Sequence, residues 1–552
     1  MPKYFLALFC FFASYNSFSQ QKKPVTVTTV AKAPKLVVGI VIDQMRWDYL
    51  YRFNARYGNG GFKRLMNQGY NFENAYIPFV PSYTAVGHST AFNGSVPAIS
   101  GIVGNNWWEK TIKKSMYCTS DSTVTAVGGS DYAGRMSPRN MHVTSICDEL
   151  RLSNNFKSKV IGIALKDRGA ILPVGHTANA AYWFDEALGK WMTSSFYMSN
   201  LPKWVEQYNA LDEPSRYMIP DWNTLYPIQT YDQSTSDDQP FEGKIPGIAK
   251  PGFPYQTSNL DKGKYSAFKF LPAANTYTFE FGKRAITAEN LGKGSVTDFL
   301  TLSLSSPDYL GHTFGPNSVE MEDMMLRLDQ DIANFLIFLD KQIGIGNYTI
   351  MLTADHGAAQ VPGYLKSKKI PAGVLFVGPI QKEINEAIKV KFDIDSIIES
   401  AQNYQIYLND DAIANKNASK DAVTKAIIEI LKSKEFITDA FATADIQTHP
   451  IQAVIKEKLI NGYNFQRSGD IQFLIRPAYF EGYGSGATGT THGLWNPYDT
   501  HIPLLFYGWG IKIGSSHSHV SMSDIAPTLA AMLHIQEPNG SVGRVLTEMI
   551  DR

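Results

Sequence analysis

Five short runs of apolar residues constrain the fold of this chain more than any other feature of its sequence. They are nearly continuous rather than alternating, which is typical of strands buried on both faces of a sheet. The runs cover residues 36–42, 160–165, 299–304, 348–353 and 502–507. Helical patterns, such as residues 319–341, separate some of them. Strand, helix and strand in alternation predict an α/β fold in which helices sandwich a largely parallel sheet.

The length of the chain predicts that this core carries large insertions. At 552 residues it exceeds the size at which a single hydrophobic core stops growing. Residues 175–290 are rich in Tyr, Trp, Pro and Asn and show few clear periods. Residues 381–480 contain amphipathic patterns around 384–391 and 422–432. We therefore expect one domain over residues 35–552, with insertions or cap elements at about 175–290 and 381–480.

The N-terminal residues have the pattern of a secretory signal peptide. Lys3 supplies a positive charge, residues 4–15 are a short apolar run, and small residues precede a polar stretch. We expect a signal peptide at 1–19 and an extended lead-in at 20–34. Cys10 suggests a lipoprotein, but the bulky Phe9 before it disfavours that alternative. No later stretch approaches the roughly 18 apolar residues of a membrane span, so we expect a periplasmic or secreted chain that does not bind membranes.

Charge and cysteine content restrict the ligands that the chain can bind. Lys plus Arg equals Asp plus Glu at 51 each, so the chain has no global field to attract nucleic acid. With the signal peptide removed, Cys118 and Cys147 remain. In an oxidising compartment this pair predicts a disulfide rather than two buried thiols, worth roughly 3 kcal/mol in the chain-entropy description. Two cysteines cannot build a thiolate zinc site, so a metal would need Asp, Glu and His ligands.

Polar side chains follow several of the predicted strands. In open parallel sheets, ligands bind outside the carboxyl ends of the strands. Asp308 and His312 have the i,i+4 spacing that places both on one helical face. A single residue of this kind is usually a cap or turn residue, but together the six candidates favour two three-ligand metal sites. They are Asp43, Asp308, His312, Asp355, His356 and, in a glycine-rich loop, His492.

A hydroxyl-rich segment at residues 79–106 could supply a nucleophile. A hydroxyl at a helix N-terminus is well placed for a phosphoryl group, because free N–H groups and the helix dipole favour an anion there. Helix capping is the ordinary alternative. Spacing alone does not choose among Ser82, Thr84, Ser89 and Thr90. Eight other histidines stay outside the scheme, among them His88 and His176 without a role and His517 and His519 as loop residues.

These motifs together resemble the alkaline phosphatase superfamily. The resemblance rests on Asp43 after the first strand, Thr84 in Pro-Ser-Tyr-Thr-Ala-Val-Gly-His, Asp308-x-x-x-His312, Asp355-His356-Gly and Thr-His492-Gly, which occur in the family's order. Within the superfamily the chain is most similar to the monomeric, phosphate-irrepressible periplasmic alkaline phosphatases that use threonine. The resemblance implies a zinc-dependent phosphate-monoester hydrolase with a phosphothreonine intermediate.

The resemblance also implies a role for each site residue. Asp43, Asp355 and His356 would hold the zinc ion that activates Thr84. Asp308, His312 and His492 would hold the zinc ion on the side of the leaving group and the attacking water. Asn105 would donate to a phosphate oxygen, for which Asn106 is a weaker candidate. Lys166 and Arg168, after the second predicted strand, match a cationic pair of the monoesterases, whereas a solvated turn is their ordinary reading.

Several relatives and rivals can be weighed against this reading. Arylsulfatases need a Cys or Ser nucleophile in a motif that is absent around Thr84. The dimeric alkaline phosphatases use Ser and a third metal; here Lys166 would occupy comparable space, so we expect no magnesium. The resemblance to the monomeric members implies a monomer. Two alternatives stay open: a phosphodiesterase of the same superfamily, and a non-catalytic secreted binding protein on this fold.

Overall fold

The structure, a computed structural model, describes Met1 and residues 33–260, 263–482 and 488–551. The chain separates into Met1–Ala33 and Pro34–Arg552, and every element below belongs to the second unit. The expected signal peptide and nearly all of the lead-in lie outside the described residues. Within the described ranges, no helix is both long and apolar enough to span a bilayer.

The core of the fold is a ten-stranded sheet of mixed direction. Leu36–Ile42 is central and pairs in parallel with Asp298–Leu304 on one side and Tyr348–Thr353 on the other. The sheet continues in parallel through two more strands and ends in antiparallel pairs at that edge. The strands, in spatial order, are Gly514–Ser516, Tyr70–Phe72, Leu504–Gly508, Tyr348–Thr353, Leu36–Ile42, Asp298–Leu304, Val160–Ala164, Ala180–Asp185, Lys190–Ser194 and Ala126–Val127.

The prediction of an α/β fold around a largely parallel sheet is confirmed, with one difference in the last strand. Leu504–Gly508 runs antiparallel to Tyr348–Thr353. It also begins two residues later than the apolar run, because Pro503 has no N–H to donate to a ladder. His501–Ile502 instead joins a small separate sheet with Ala75–Tyr76 and Val520–Ser521. An apolar run shows that a strand is buried on both faces but carries no information about its direction.

Helices cover both faces of the sheet. The longest, Val319–Gln342, begins at Ser318, whose hydroxyl accepts a hydrogen bond from the Met321 N–H. The α-helices are Tyr49–Arg52, Phe62–Gln68, Thr84–Asn93, Pro97–Ser100, Asp131–Gly134, Ile146–Ser153, Asp167–Val174, Lys203–Asn209, Glu213–Met218, Lys264–Phe268, Ala273–Ala288, Ser306–Phe314, Val319–Gln342, Pro362–Ser367, Val377–Phe392, Asp410–Asn415, Lys420–Lys432, Ala453–Gly462, Pro497–Thr500 and Ile525–Leu533.

Residues 175–290, the first segment expected to be an insertion, contribute elements to the core at both of their ends. Ala180–Asp185 and Lys190–Ser194 are strands of the central sheet, and Ala273–Ala288 packs against that sheet. The aromatic residues of this segment stack here, with the Trp191 and Phe281 rings 4.5 Å apart. The aromatic richness of the segment therefore reflects a buried sheet edge as well as an excursion from the sheet.

The second segment forms a sheet with a hydrophobic core of its own. Helices Val377–Phe392 and Lys420–Lys432 carry the two predicted amphipathic patterns. Their buried residues, such as Ile384 and Ile427, pack in a cluster separate from the main core. The strands of this cap sheet, in spatial order, are Ile398–Gln402, Gln405–Leu408, Ile471–Ile475 and Ile437–Ala442. Two short pairs complete the strand inventory: Gly373–Leu375 with Tyr479–Glu481, and Asn106–Glu109 with Lys114–Tyr117.

The prediction of a disulfide between Cys118 and Cys147 is wrong. Cys118 and Cys147 are both free, and both are fully buried. Cys118 follows the hairpin strand Lys114–Tyr117, whereas Cys147 lies in the first turn of helix Ile146–Ser153. Burial raises the pKa of Cys118 to about 12 and that of Cys147 well above its ordinary value. The two thiols therefore pack as small apolar core residues and stay protonated.

Candidate active site

Three buried carboxylates and one lysine meet at the carboxyl edge of the central strands. The register aligns Ile42 with Leu304, and the Asp43 N–H donates to the Leu304 carbonyl at 3.1 Å. Lys166 Nζ lies 2.6 Å from Asp43 Oδ2 and 2.5 Å from Asp308 Oδ2. Burial alone would lower the pKa of Lys166, but the charges of Asp308 and Asp43 hold it above its ordinary value. Asp355 completes the set at the end of the neighbouring strand.

The three predicted histidine ligands all present the same ring nitrogen to these carboxylates. Nδ1 of His312 donates to the Thr490 carbonyl at 2.9 Å, Nδ1 of His356 to Gly357 at 3.0 Å, and Nδ1 of His492 to Ser82 at 2.7 Å. Each backbone carbonyl fixes the tautomer and leaves Nε2 with a lone pair, as in metal-ligating histidines. Burial and the neighbouring His356 and His312 hold the pKa of His492 well below its ordinary value, so its ring stays neutral.

The chemistry of this donor set fits a divalent cation. Asp43 Oδ1 is buried and accepts no hydrogen bond from any described residue, and the buried Asp355 Oδ2 has two imidazole nitrogens near it, His88 Nδ1 at 3.2 Å and His356 Nε2 at 3.3 Å. Burial and the charges of Asp308 and Asp355 raise the pKa of Asp43 well above its ordinary value, because one lysine cannot balance three buried carboxylates. A bound cation would restore that balance.

Two overlapping groups of residues have ligand atoms within 4.8 Å of one another. One is Asp43, Asp355 and His356, and the other is Asp308, His356 and His492. The first equals one of the two predicted ligand sets. The second contains His356 where the prediction has His312, although His312 Nε2 lies only 3.2 Å from Asp308 Oδ1. His312 is the most exposed of the ligand side chains, at 37%.

Thr84 is the first residue of helix Thr84–Asn93 and is buried beside the carboxylate cluster. Its Oγ1 lies 3.4 Å from His356 Nε2. Two of the other hydroxyls that spacing left open bond the backbone, Ser82 to the Leu494 carbonyl and Ser89 to the Val86 carbonyl, and the third, Thr90, is buried and bonds no described residue. Gly87 lets this helix pack closely against the backbone of Asp355, because a Cβ at residue 87 would lie only 2.2 Å from the Asp355 carbonyl oxygen.

The predicted phosphate-binding side chains lie in two places, Asn105 beside the start of the Thr84 helix and Lys166 with Arg168 at a cavity. Asn105 Oδ1 accepts the Ala85 N–H at 2.9 Å, and the Asn105 amide nitrogen donates to no described residue. Asn106 is exposed and begins a strand of the nearby hairpin. Lys166 and Arg168 line a cavity of 390 Å³ together with Tyr309, the residue after Asp308. This cavity is large enough to hold part of a small organic substrate.

Two residues that the sequence left without a role contact the site. Gln44 bridges the two ligand groups, because its Nε2 donates to Asp308 Oδ1 at 2.7 Å and its backbone N–H to Asp355 Oδ1 at 3.1 Å. Its φ of 64° is left-handed, which is uncommon for a residue with a side chain. His88, four residues after Thr84, lies 3.2 Å from Asp355 Oδ2 and bonds the Ser303 hydroxyl at 2.7 Å.

The other histidines singled out in the sequence lie elsewhere. His176 contacts Asp148 and the Met141 carbonyl. His517 is exposed, and His519 stacks on Tyr76. Their positions agree with the interpretation of His517 and His519 as surface residues of the C-terminal loops.

Comparison with known proteins places the chain among phosphatases. It matches the family described as type I phosphodiesterase/nucleotide pyrophosphatase over residues 37–495. It is 47% identical to alkaline phosphatase PhoV of Synechococcus elongatus, over 98% of each chain. It is 47% identical to a protein of Myroides odoratus named calcium-transporting ATPase, over 99% of this chain and 98% of that one. Alkaline phosphatase PafA of Elizabethkingia meningoseptica is 46% identical over 95% and 96%.

The structural comparison agrees. The crystal structure of wild-type PafA superimposes with a TM-score of 0.92 at 46% identity, covering 94% of this chain and 99% of that chain. A second PafA structure is of a variant substituted at one threonine, one asparagine, one lysine and one arginine, with a TM-score of 0.91.

Proposed function

The chain belongs to the type I phosphodiesterase/nucleotide pyrophosphatase family of the alkaline phosphatase superfamily, and we propose that it is an exported alkaline phosphatase that hydrolyses phosphate monoesters. The observation that carries the proposal is the contact of Lys166 with two of three buried carboxylates, which three histidine Nε2 atoms also face. Arg168 lines the same cavity as Lys166, and the Thr84 hydroxyl lies beside His356 Nε2. A monoester dianion has one more charged oxygen than a diester, and a lysine plus a forked guanidinium complements it.

The ligand residues divide into two sets. Asp43, Asp355 and His356 would hold one zinc ion, and Asp308, His312 and His492 would hold the other. When bound, the zinc ions would lower the pKa of the attacking hydroxyl and balance charge on the departing oxygen. The buried Asp43 Oδ1, which accepts no hydrogen bond from a described residue, supports this assignment, as do the three backbone carbonyls that fix the histidine tautomers.

Thr84 is the nucleophile of the proposed reaction. Its Oγ1 attacks phosphorus in line, the bond to the leaving-group oxygen breaks, and phosphothreonine forms; water then hydrolyses the phosphothreonine and regenerates the hydroxyl. The Asn105 amide, Lys166 and Arg168 hold the non-bridging oxygens. The transition state is loose, so positioning and electrostatic stabilisation carry most of the catalysis. The four residue types substituted in the PafA variant are those of Thr84, Asn105, Lys166 and Arg168, which supports these roles.

We further propose that the protein is exported and acts as a monomer. The apolar N-terminal run supports transport to the periplasm or the medium, where small phosphate monoesters would be the substrates. The name of the Myroides odoratus relative makes ATP a useful additional substrate to test. Phosphodiesters are the rival substrates, because the family description includes them.

Trapping of the phosphoenzyme tests the nucleophile. The purified protein is mixed with a monoester, quenched in acid and digested, and the peptide containing residue 84 is analysed by mass spectrometry. We expect phosphothreonine at Thr84 and none in Thr84→Ala. Thr90→Val, which removes a buried hydroxyl of the same helix that bonds no described residue, serves as the matched control and should still be phosphorylated. Phosphoenzyme in Thr84→Ala would contradict the assignment.

A further inference from the structure

Asp167 raises a problem for the proposed role of Arg168. It stands between Lys166 and Arg168 in the sequence, at the N-terminus of helix Asp167–Val174. A carboxylate so close to a guanidinium would ordinarily form a bidentate ion pair with it. Such a pair would occupy the donor fork of Arg168 and cancel its charge, and the side chain could then no longer bind a phosphate dianion.

Two hydroxyl groups take both oxygens of Asp167 instead. Tyr117 Oη donates to Asp167 Oδ1 at 2.8 Å, and Thr119 Oγ1 donates to Asp167 Oδ2. Both residues come from one short stretch, the last residue of strand Lys114–Tyr117 and the loop after it. Thr119 is fully buried. The carboxylate is thereby satisfied without Arg168, and no ion pair joins Asp167 to Arg168 among the described residues.

Arg168 itself is held by a neutral group. Its Nη1 donates to the same Tyr117 oxygen at 3.0 Å, and its Nε is buried without a described partner. Burial raises the pKa of Tyr117 well above its ordinary value, so the phenol stays protonated and can accept from Arg168 while it donates to Asp167. The guanidinium is thus oriented but keeps its charge and most of its donors. Tyr117, Lys166 and Arg168 line the same 390 Å³ cavity.

We propose that Tyr117 and Thr119 are positioning residues that hold Asp167 away from Arg168 and direct the free guanidinium towards the phosphoryl group. The inference rests on the proposed function, because it explains how the arginine of that site stays available for a dianion. It assigns to the hairpin Asn106–Tyr117 and its following loop a task in selecting monoesters. Neither residue touches the reacting atoms, so their effect must pass through Arg168.

The test is a set of substitutions that remove one hydroxyl at a time. Tyr117→Phe and Thr119→Val keep the shape of each side chain, and Thr119→Ser keeps the hydroxyl. Tyr226→Phe is the matched control, since Tyr226 is 41% exposed and is not among the residues that line this cavity. The readouts are kcat/KM for p-nitrophenyl phosphate and bis-p-nitrophenyl phosphate, and the dissociation constant of inorganic phosphate by calorimetry.

Tyr117→Phe and Thr119→Val should each weaken phosphate binding and monoester kcat/KM by about 10-fold, the usual scale for a lost hydrogen bond near a charge. Diester kcat/KM should change by less than about 3-fold, and Thr119→Ser and Tyr226→Phe should resemble wild type. In an Arg168→Ala background, Tyr117→Phe should have no further effect. Equal losses on the two substrates, or a further loss in the Arg168→Ala background, would overturn the inference.

A double variant separates positioning from general damage to the fold. If Tyr117→Phe acts by releasing Asp167 onto Arg168, then adding Asp167→Asn removes the competing charge and should restore most of the monoester rate. A double variant as slow as Tyr117→Phe alone would contradict the proposal. Wild-type rates come first: a wild type without monoester activity would refute the proposed function itself, whereas the phosphate dissociation constants would still decide whether Tyr117 controls Arg168.

Discussion

Substitution of the two basic side chains Lys166 and Arg168 is the perturbation whose outcome the structure defines best. Lys166 is buried, with only 2% of its side chain exposed, and it contacts one carboxylate from each proposed zinc set. Arg168 adds the second positive charge at the same cavity. In the double variant Lys166→Ala/Arg168→Ala, a bound monoester dianion would lose two charged donors.

The size of the effect follows from the number of charged contacts. A hydrogen bond that involves a charged group contributes about 1.5–3 kcal/mol, so two contribute about 3–6 kcal/mol. Since about 1.4 kcal/mol is a factor of ten, kcat/KM for p-nitrophenyl phosphate should fall about 100- to 10,000-fold. A diester presents one charged oxygen fewer, and its kcat/KM should fall only about 10-fold.

The assay compares both substrates in the double variant, each single variant and Lys269→Ala. Lys269 lines the same cavity but forms an ion pair with Glu186, so it serves as the matched cation control. The zinc content of every variant is measured, because Lys166 contacts two proposed ligands. Equal losses on the two substrates at full zinc content would refute the reasoning that the pair recognises the dianion.

Four further outcomes are expected. Gln44→Asn, which tolerates the left-handed backbone but shortens the side chain, should lower zinc affinity about 10-fold or more in competition with a chelating dye; unchanged affinity would exclude Gln44 as a support of the ligands. Gly87→Ala should lower both activity and the unfolding midpoint, because its Cβ meets the Asp355 carbonyl oxygen at 2.2 Å; wild-type rates would contradict this. Removal of metal by a chelator should lower the melting temperature, since three carboxylates would then face one lysine, and equal melting temperatures would argue against a bound cation. Burial raises the pKa of Glu320 from 4.5 to about 8, so the free energy of unfolding of the wild type should fall as pH rises between these values. Glu320→Gln should not show this fall, and in urea titrations its stability should increase relative to wild type by about 1.4 kcal/mol per pH unit. A stability difference between variant and wild type that does not change with pH would contradict this prediction.

The sequence predicted the frame of the site because apolar runs locate buried strands and the next residues locate their carboxyl ends. The structure places Asp43, Asp308 and Asp355 after neighbouring strands, as expected of parallel pairs in register. The residue types also restrict the chemistry, since a chain without spare thiolates must bind metal with carboxylates and imidazoles.

Other features depend on contacts that no local pattern contains. Strand direction is not encoded in an apolar run, so the antiparallel Leu504–Gly508 was not predicted. Short edge strands such as Tyr70–Phe72 carry too few residues for a signal. The free thiols of Cys118 and Cys147 reflect where two separate elements pack. Gln44 could have been suspected only from its place directly after Asp43, and the link from Tyr117 to Asp167 spans 50 residues of sequence.

The most direct test of the central claim is a comparison of initial rates on p-nitrophenyl phosphate and bis-p-nitrophenyl phosphate. The zinc-loaded mature protein is assayed beside a sample stripped by a chelator. We predict activity that strongly favours the monoester, is lost on chelation and returns with zinc. A preference for the diester would contradict the monoesterase assignment and favour a phosphodiesterase, and absence of activity on both substrates would contradict catalysis by this site.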